Sequence, residues 1–599
     1  MDSKKIPLLI YDGDCDFCQY SVDYWQKLTG DTVDYQPYQL VSQHYPAISI
    51  DDFKQSVKYI TPDGEVASAA KASFLTLSHA PDGGIWMTLY RKMPGFAYLT
   101  EKAYTLISTH RTAAYTLSRF FWGREPLPPA YDLLTWIFLR LFGLLFFAAF
   151  YSFATQALGL IGSQGIVPVA ALMHAAKTQL GATGFLQFPI LFWISSSDFM
   201  IQLVSWSGVI ISCLLIANIK PRLCLFALYV LYISLLYGGQ VFMTFQWDML
   251  LLETSLLALI LVRYRTLGIW LLRWLIFRFE FAAGIVKLTS GDSTWWNFSA
   301  LDFHFLTQPL PTPLAWYAFY LPPFALKFLT GASLFVELVL PFLFFCPRRL
   351  RFWAGYGVLS MQVGIILTGN YNFFNFTTML LCLSLYDDAA LKQWLPTRCQ
   401  AWMTQAVLPQ QAFRLTPYLV GVFTVLTVLC SIGQFNQRFT RLTPLAFTTL
   451  TRLMSPYAMV NTYGPFAVMT RKRNEIIIEG SNDGVVWQEY EFKYKPGALN
   501  RKPRWNIPFQ PRLDWQMWFA ALGPPQASPW FSSFMQRLLE NAPEVVVLLE
   551  KNPFPDLPPM YVRALYFDYT YTTEEEYQRT GNWWNRYLLG SYFPAVSLP

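Results

Sequence analysis

Charged and amide side chains stand inside segments apolar enough to cross a membrane, and few folds accommodate that arrangement. Nine apolar stretches fall at about 133–155, 200–218, 223–238, 248–263, 267–287, 325–346, 352–368, 372–387 and 417–434. In or beside them lie FQWDMLLLE (245–253), LLRWLIFRFEFAAGIVKLTSG (271–291), HFLTQPLP (304–311) and GNYNFFN (369–375). In hydrocarbon every backbone polar group needs an internal partner, so stretches of this length read as helices. Several fall short of the ~20 residues of a straight crossing, which leaves boundaries soft and allows a re-entrant segment. Ionisable groups at that depth are costly and mark either a site or a buried polar network. The expected architecture is multi-domain: an α/β N-terminal domain (1–125), a polytopic helical bundle of about nine spans (126–440) and a β-rich C-terminal domain (441–599).

Composition supports the membrane class. Only 14% of the 599 residues are charged, well below the ~25% usual in soluble domains. The 22 tryptophans suit aromatic belts at two interfaces. The formal charge of +7 is scattered in small clusters at span ends rather than gathered in one block. That distribution points away from a nucleic-acid partner and towards a topology signal. No secretory signal is expected, since the apolar run after Ile6 is too short for a signal core.

The basic clusters choose the orientation. Lys220 and Arg222, Arg263 and Arg265, Arg348, Arg349 and Arg351, then Lys392 and Arg398 lie in alternate connections. With nine spans and a cytosolic N-terminus, all four fall on the cytosolic side, as positive-inside requires. The expected home is a bacterial inner membrane, or the endoplasmic reticulum membrane in a eukaryote. The connections with FQWD, HFLTQPLP and GNYNFFN then share the opposite face with the C-terminal domain.

Near the N-terminus, an apolar strand at 6–11 runs into the turn Asp12-Gly-Asp14 and then Cys15-Asp-Phe-Cys18, which opens an amphipathic helix to about residue 28. A strand leading into CxxC at a helix start is the thioredoxin-like arrangement. Helix-end N–H groups stabilise a thiolate on Cys15, while Asp14 and Asp16 oppose it. A reductant or sensor is expected rather than a strong oxidant, with an unidentified cytosolic thiol partner. YDGDCDFC resembles the DCC family of thiol-disulfide oxidoreductases over roughly residues 6–120, through Asp12, Cys15 and Cys18. Tyr104 and Arg111 fit that family's closing helix. A zinc half-site would need two further ligands, and no second CxxC or spaced histidines supply them. A fold with inert thiols is the remaining alternative. No cofactor is implied.

In the bundle, Asp248 and Glu253 begin one span, and Arg273, Arg278, Glu280 and Lys287 lie in the next. Opposite charges on adjacent helices predict interhelical pairs that lock the bundle or line a polar cavity. His304 sits in a Trp- and Pro-rich loop expected along the interface, packed there or acting as an acid or base near Lys287. Asn370, Asn372 and Asn375 open a later span, where Asn caps helices and tolerates turns. Trp247, Asp248, Glu253, Arg278, Lys287, His304, Gln308, Asn370 and Asn375 are the candidate functional residues here. Trp247, Asp248, His304, Gln308, Asn370 and Asn375 are expected near one working surface shared with the C-terminal domain.

In the last 160 residues, 473–480 and 485–494 read as a hairpin about Ser481-Asn-Asp-Gly484. Residues 544–550 and 561–573 read as a second strand pair, with an amphipathic helix near 529–541. Mixed charges and aromatics suit a protein partner more than a metabolite.

The membrane motifs, with NTYGPFAVMTRKRNEIIIEG (461–480) and RLDWQMWFAALG (512–523), resemble the lipase maturation factor family over roughly residues 131–525. That resemblance implies a membrane-bound chaperone for exported proteins such as lipases. Two alternatives are a membrane enzyme similar to the vitamin K-dependent carboxylase-like proteins and a protein-disulfide reductase acting through the CxxC. A transporter would show inverted repeats, and none is visible.

Overall fold

The structure, a computed structural model, describes residues 6–81, 83–124, 126, 128–396, 417–440 and 445–598. Arg398 and Cys399 lie outside the described residues. The chain divides into two compact units. One comprises Met1–Ala130 with Cys346–Trp353 and Asp387–Leu395, and the other holds the rest.

The first unit is a small α/β fold. Strands β1 (Leu8–Tyr11), β2 (Asp34–Pro37), β3 (Lys58–Ile60) and β4 (Val66–Ser68) form one sheet in the order β2-β1-β3-β4. β1 and β2 are parallel, joined by helix α1 (Asp16–Thr29), while β3 runs antiparallel to both β1 and β4. Successive side chains of a strand point to opposite faces, and here both faces are covered. Leu9 joins Val22, Val33, Tyr59 and Ala72 on one side, and Ile10 joins Tyr38, Phe53 and Ile60 on the other. The continuous apolar run of β1 follows from that double burial. Helices α2 (Ala69–Leu77), α3 (Gly84–Lys92), α4 (Phe96–Thr109) and α5 (Arg111–Trp122) complete the unit.

The second unit opens with a helical bundle. Six helical stretches among the described residues are long and apolar enough to cross a membrane: Asp132–Ala154, Asp198–Ile216, Pro221–Gly238, Pro323–Phe345, Arg348–Thr368 and Pro417–Asn436. The other three expected stretches are also helical. They are Gln246–Leu261, Arg265–Thr289 and the short apolar Phe374–Leu385. The first has only 16 residues and the second buries Arg273, Arg278, Glu280 and Lys287, so length and apolarity alone do not select them. We label Asp132–Ala154 α6, Asp198–Ile216 α7, Pro221–Gly238 α8, Gln246–Leu261 α9 and Arg265–Thr289 α10. Leu301–Thr307 is α11, Pro323–Leu338 α12 and Arg348–Thr368 α13. α10 and α12 meet closely at Gly284, where a Cβ would approach Leu338 to 2.8 Å.

Beyond the last long helix, β5 (Arg473–Ser481), β6 (Gln488–Glu489), β9 (Tyr561–Tyr571) and β10 (Trp584–Val596) form an antiparallel sheet in the order β10-β9-β5-β6. The Ser481–Gly484 turn forms, with Ser481 Oγ accepting from Gly484 N at 3.0 Å, but its hairpin is short. Only Glu479 and Gly480 pair with β6. The expected second strand breaks at Tyr490, whose ring is buried, and β7 (Glu491–Phe492) pairs instead with β8 (Leu549–Lys551). Residues 544–550 are likewise only partly a strand. Pro543 opens a helical turn over Pro543–Val546, because its fixed φ suits a first helical position. β10, 13 residues long, was not anticipated as a strand. The amphipathic helix is present as Trp530–Leu539, with Trp530, Phe531, Phe534, Met535 and Leu538 on its buried side.

Candidate functional site

In the first unit, β1 delivers the Asp12-Gly13-Asp14 turn to the start of α1, and Cys15 is the N-cap of that helix. Its Sγ accepts a hydrogen bond from Cys18 N at 3.2 Å, which satisfies one of the otherwise unpaired helix-end donors. Asp12 is held by three groups: Arg111 Nη1 at 3.3 Å, Gln39 Nε2 at 3.2 Å and the Asp14 amide at 3.2 Å. Gln39 also receives Gly13 N at 3.1 Å, so one amide side chain ties down both ends of the turn. Arg111 donates further to the carbonyls of Ser108 and Gln55, and its guanidinium lies within electrostatic reach of both thiols. Burial first, then the hydrogen bond and charge of Cys15, push the Cys18 thiol well above its ordinary range. Arg111 opposes that shift and Asp12 adds to it. Behind Cys18 lies a largely apolar cavity of about 290 Å³, walled by Trp25, Phe53, Phe74 and Tyr104, with Asp12 and Arg111 at its polar end.

This asymmetry defines the chemistry open to the pair. Cys15 caps the helix, whereas the Cys18 thiol holds its proton more firmly, so the two sulfurs are not equivalent in a thiol-disulfide exchange. Attack by the Cys15 thiolate on a partner disulfide would release one partner thiolate. Cys18, losing its proton, would then displace the second, leaving a Cys15–Cys18 disulfide and a partner reduced by two electrons. Gln39 escaped the sequence reading because it follows β2, far from the motif in sequence.

The second unit carries a chain of buried ion pairs. Asp248, fully buried in the first turn of α9, is gripped by Arg512: Nη1 to Oδ2 at 2.6 Å and Nη2 to Oδ1 at 2.8 Å. Tyr232 of α8 donates to the same carboxylate at 2.5 Å. Arg512 also reaches Phe242 O at 3.0 Å, and its own amide donates to Gln156 Oε1 at 2.9 Å. One turn along α9, Glu253 pairs with Arg278 of α10 and accepts from Asn461 N, Asn461 Nδ2 and Tyr463 Oη at 3.1, 3.1 and 2.7 Å. Lys287 pairs with Glu337 of α12, and its ammonium lies 5.0 Å from the Trp295 ring centroid. Arg273 instead bonds Ser384 O at 2.7 Å and Tyr131 Oη at 3.2 Å.

The expectation of pairs between α9 and α10 therefore holds for Glu253 and fails for Asp248. In an antiparallel helical hairpin, five residues back on one helix is five residues on along the other. The register that sets Glu253 against Arg278 brings Ala283, not a base, to the level of Asp248. Its partner comes from the segment that opens the Arg512–Ala520 helix. Lys287, in turn, finds a carboxylate on α12 because the small Gly284 lets that helix approach.

The remaining candidates lie in the same unit. Trp247 stacks on Phe245 (4.5 Å between centroids) and meets Trp515 edge-on at 4.8 Å. Asn370 bridges three segments. Its Nδ2 donates to Leu310 O and Arg504 O at 3.2 and 2.8 Å, and its Oδ1 accepts from Asn506 N at 3.0 Å. Gln308 Nε2 donates to Thr368 O at 2.8 Å, and its own carbonyl receives Arg473 Nη1 at 2.5 Å. Arg473, fully buried, also serves Leu306 O and Pro309 O and pairs with Glu475 at 2.8 Å. His304 packs its ring against Phe466 at 5.2 Å. Burial, then the Lys287 ammonium, hold its imidazole down at about 4, so it is neutral at ordinary pH. Asn375 bonds Gln362 Oε1 at 2.7 Å, between two apolar helices. The sequence reading missed Arg512, Glu337, Tyr463 and Arg473. An Arg among tryptophans in RLDWQMW and a lone Glu in the apolar stretch 325–346 were the available signals.

Three family models match the chain. The lipase maturation factor transmembrane domain matches residues 133–393, the lipase maturation factor C-terminal domain matches 459–594, and the DCC1-like thiol-disulfide oxidoreductase matches 9–117. Lipase maturation factor 2 of Xenopus tropicalis is 33% identical, over 76% of this chain and 81% of its own length. The chain belongs to the lipase maturation factor family. The human lipase maturation factor 2 is also 33% identical, with 77% and 82% covered, and the mouse lipase maturation factor 1 is 32% identical, with 77% and 87% covered. No solved structure matches. Within the family's C-terminal region, Asn461, Tyr463 and Arg512 are the residues that reach the carboxylates of α9.

Proposed function

We propose that the chain is a multi-pass membrane maturation factor that assists the folding or assembly of exported lipases, with a thiol-disulfide domain attached at its N-terminus. Family membership carries this reading, since the relatives are named as lipase maturation factors. The buried ties from Arg473 and Arg512 support it by holding the C-terminal sheet and the membrane helices as one body, able to present a fixed surface to a client. In this reading three domains span 1–125, 126–440 and 441–599, and nine helices cross the membrane. The N-terminus is cytosolic and the C-terminus extracytoplasmic, in a bacterial inner membrane or an endoplasmic reticulum membrane. The working surface includes Trp247, Asp248, His304, Gln308, Asn370 and Asn375, with Glu253, Arg278 and Lys287 as its structural support.

The sheet order β2-β1-β3-β4, with the CxxC capping the helix after β1, supports a thioredoxin-like N-terminal domain. Cys15 is the attacking thiol, Cys18 the resolving one, and Asp12 with Arg111 sets the charge around them. Secreted lipase activity from cells lacking the gene, with and without the full chain restored, tests the maturation role. A rise in lipase activity, with no change in an unrelated secreted hydrolase, is the expected result. Equal lipase activity in both strains would overturn the reading.

A further inference from the structure

We propose that the outer face of α4 and α5 lies on the bilayer surface and binds anionic phospholipid there. α4 turns Glu101, Tyr104 and Ser108 inward, where Glu101 receives the Lys71 amide at 3.1 Å and the Tyr90 hydroxyl at 2.9 Å. Its opposite side exposes Tyr98, Leu99 and Leu106, each about two-thirds accessible (66, 66 and 65%). α5 continues the pattern with Leu117 at 55%, Phe120 at 60% and Trp122 at 48%. Soluble surfaces scatter apolar groups singly, and a run of large ones along two successive helices marks a surface that something covers.

Charge identifies the occupant. Between residues 84 and 124 the only acidic side chain is Glu101, already engaged with α2 and Tyr90, against Arg91, Lys92, Lys102, Arg111, Arg119 and Arg124. Arg111 is committed to Asp12, which leaves five other bases in this stretch of the chain. Lys102 lies 5.6 Å from the Tyr98 ring and Arg119 5.3 Å from that of Tyr115. Apolar residues flanked by Trp, Tyr, Lys and Arg make the face of a helix lying in a headgroup layer. A protein partner would more often meet an interface core depleted of Lys.

The same unit includes the first residues of α13. Arg349, which opens the spanning-length helix α13, donates to Phe120 O at 3.4 Å. The last turn of α5 is therefore tied to the residue next to the start of α13. The inference does not rest on the lipase reading.

The test uses the full chain in lipid nanodiscs with a benzophenone amino acid in place of Leu106 or Leu117, both exposed, and in place of Asp63 in the β3–β4 turn as a control. After illumination, mass spectrometry should show phospholipid adducts at positions 106 and 117 roughly tenfold above position 63, as expected of side chains seated in a headgroup layer. Moving from phosphatidylglycerol-containing to pure phosphatidylcholine discs should lower the yield several-fold. Combining Lys102→Gln with Arg119→Gln should do the same in the anionic discs. Adducts to a second protein molecule, lipid adducts no more frequent than at position 63, or yields indifferent to headgroup charge would each overturn the proposal.

Discussion

Breaking the Asp248–Arg512 pair from one side should be far more damaging than deleting it. Both side chains are fully buried and share two short charge-assisted hydrogen bonds of 2.6 and 2.8 Å, with a third from Tyr232. Each such bond contributes about 1.5–3 kcal/mol, but desolvation of two ions offsets much of the sum. What remains when one partner goes is a buried charge with nothing to answer it, at a cost of about 3–5 kcal/mol. Asp248→Leu and Arg512→Met should each lose that much in equilibrium unfolding of the detergent-solubilised protein. The double variant should recover most of it, for a coupling energy of at least ~2 kcal/mol. Limited proteolysis gives an independent readout, since only the single variants should release the region after residue 461. Single variants that each cost under ~1 kcal/mol and simply add would refute the claim that this pair binds the C-terminal region to the bundle.

Three further outcomes follow from the site geometry. His304 has a folded-state pKa of about 4, below its ordinary 6.5, so the folded form resists protonation. Its contribution to stability is complete above pH 6.5 and is lost as pH falls towards 4. Melting curves across that window should flatten in His304→Gln, and an unchanged slope would remove His304 as the cause. Cys18→Ser should trap a mixed disulfide with a cytosolic partner and Cys15→Ser should not, read on non-reducing gels. The reverse pattern would make Cys18 the attacking thiol, and no adduct in either would favour inert thiols. Reporter fusions after residues 125 and 440 should report opposite sides of the membrane, and the same side for both would defeat nine spans.

Much of the helical layout was legible because spanning helices are written as long apolar runs, and all nine expected stretches are helical. The thiol site was equally plain, since a strand, a turn and CxxC are contiguous in sequence. The small β elements were not. Residues 489–494 alternate as a strand should, yet the chain leaves one sheet for another at Tyr490, a choice made by β8 some 60 residues away. β10 broke the rule differently: Tyr587, Leu588 and Leu589 are all exposed, so its pattern never announced a buried face. Partner choice inside the bundle was half legible. Glu253 and Arg278 follow from helix register, whereas the Asp248 partner is 264 residues away and no periodicity connects them.

That separation has a consequence for how the chain is made. A ribosome adding roughly 5–20 residues per second needs about 15–50 s to travel from Asp248 to Arg512. Throughout that interval, while α10, α12, α13 and the last long helix are being made, α9 holds a carboxylate whose guanidinium does not yet exist. A polypeptide that stops short of Arg512 keeps that defect permanently. Completion of the buried pair thus waits on a segment made long after the helix that holds its carboxylate.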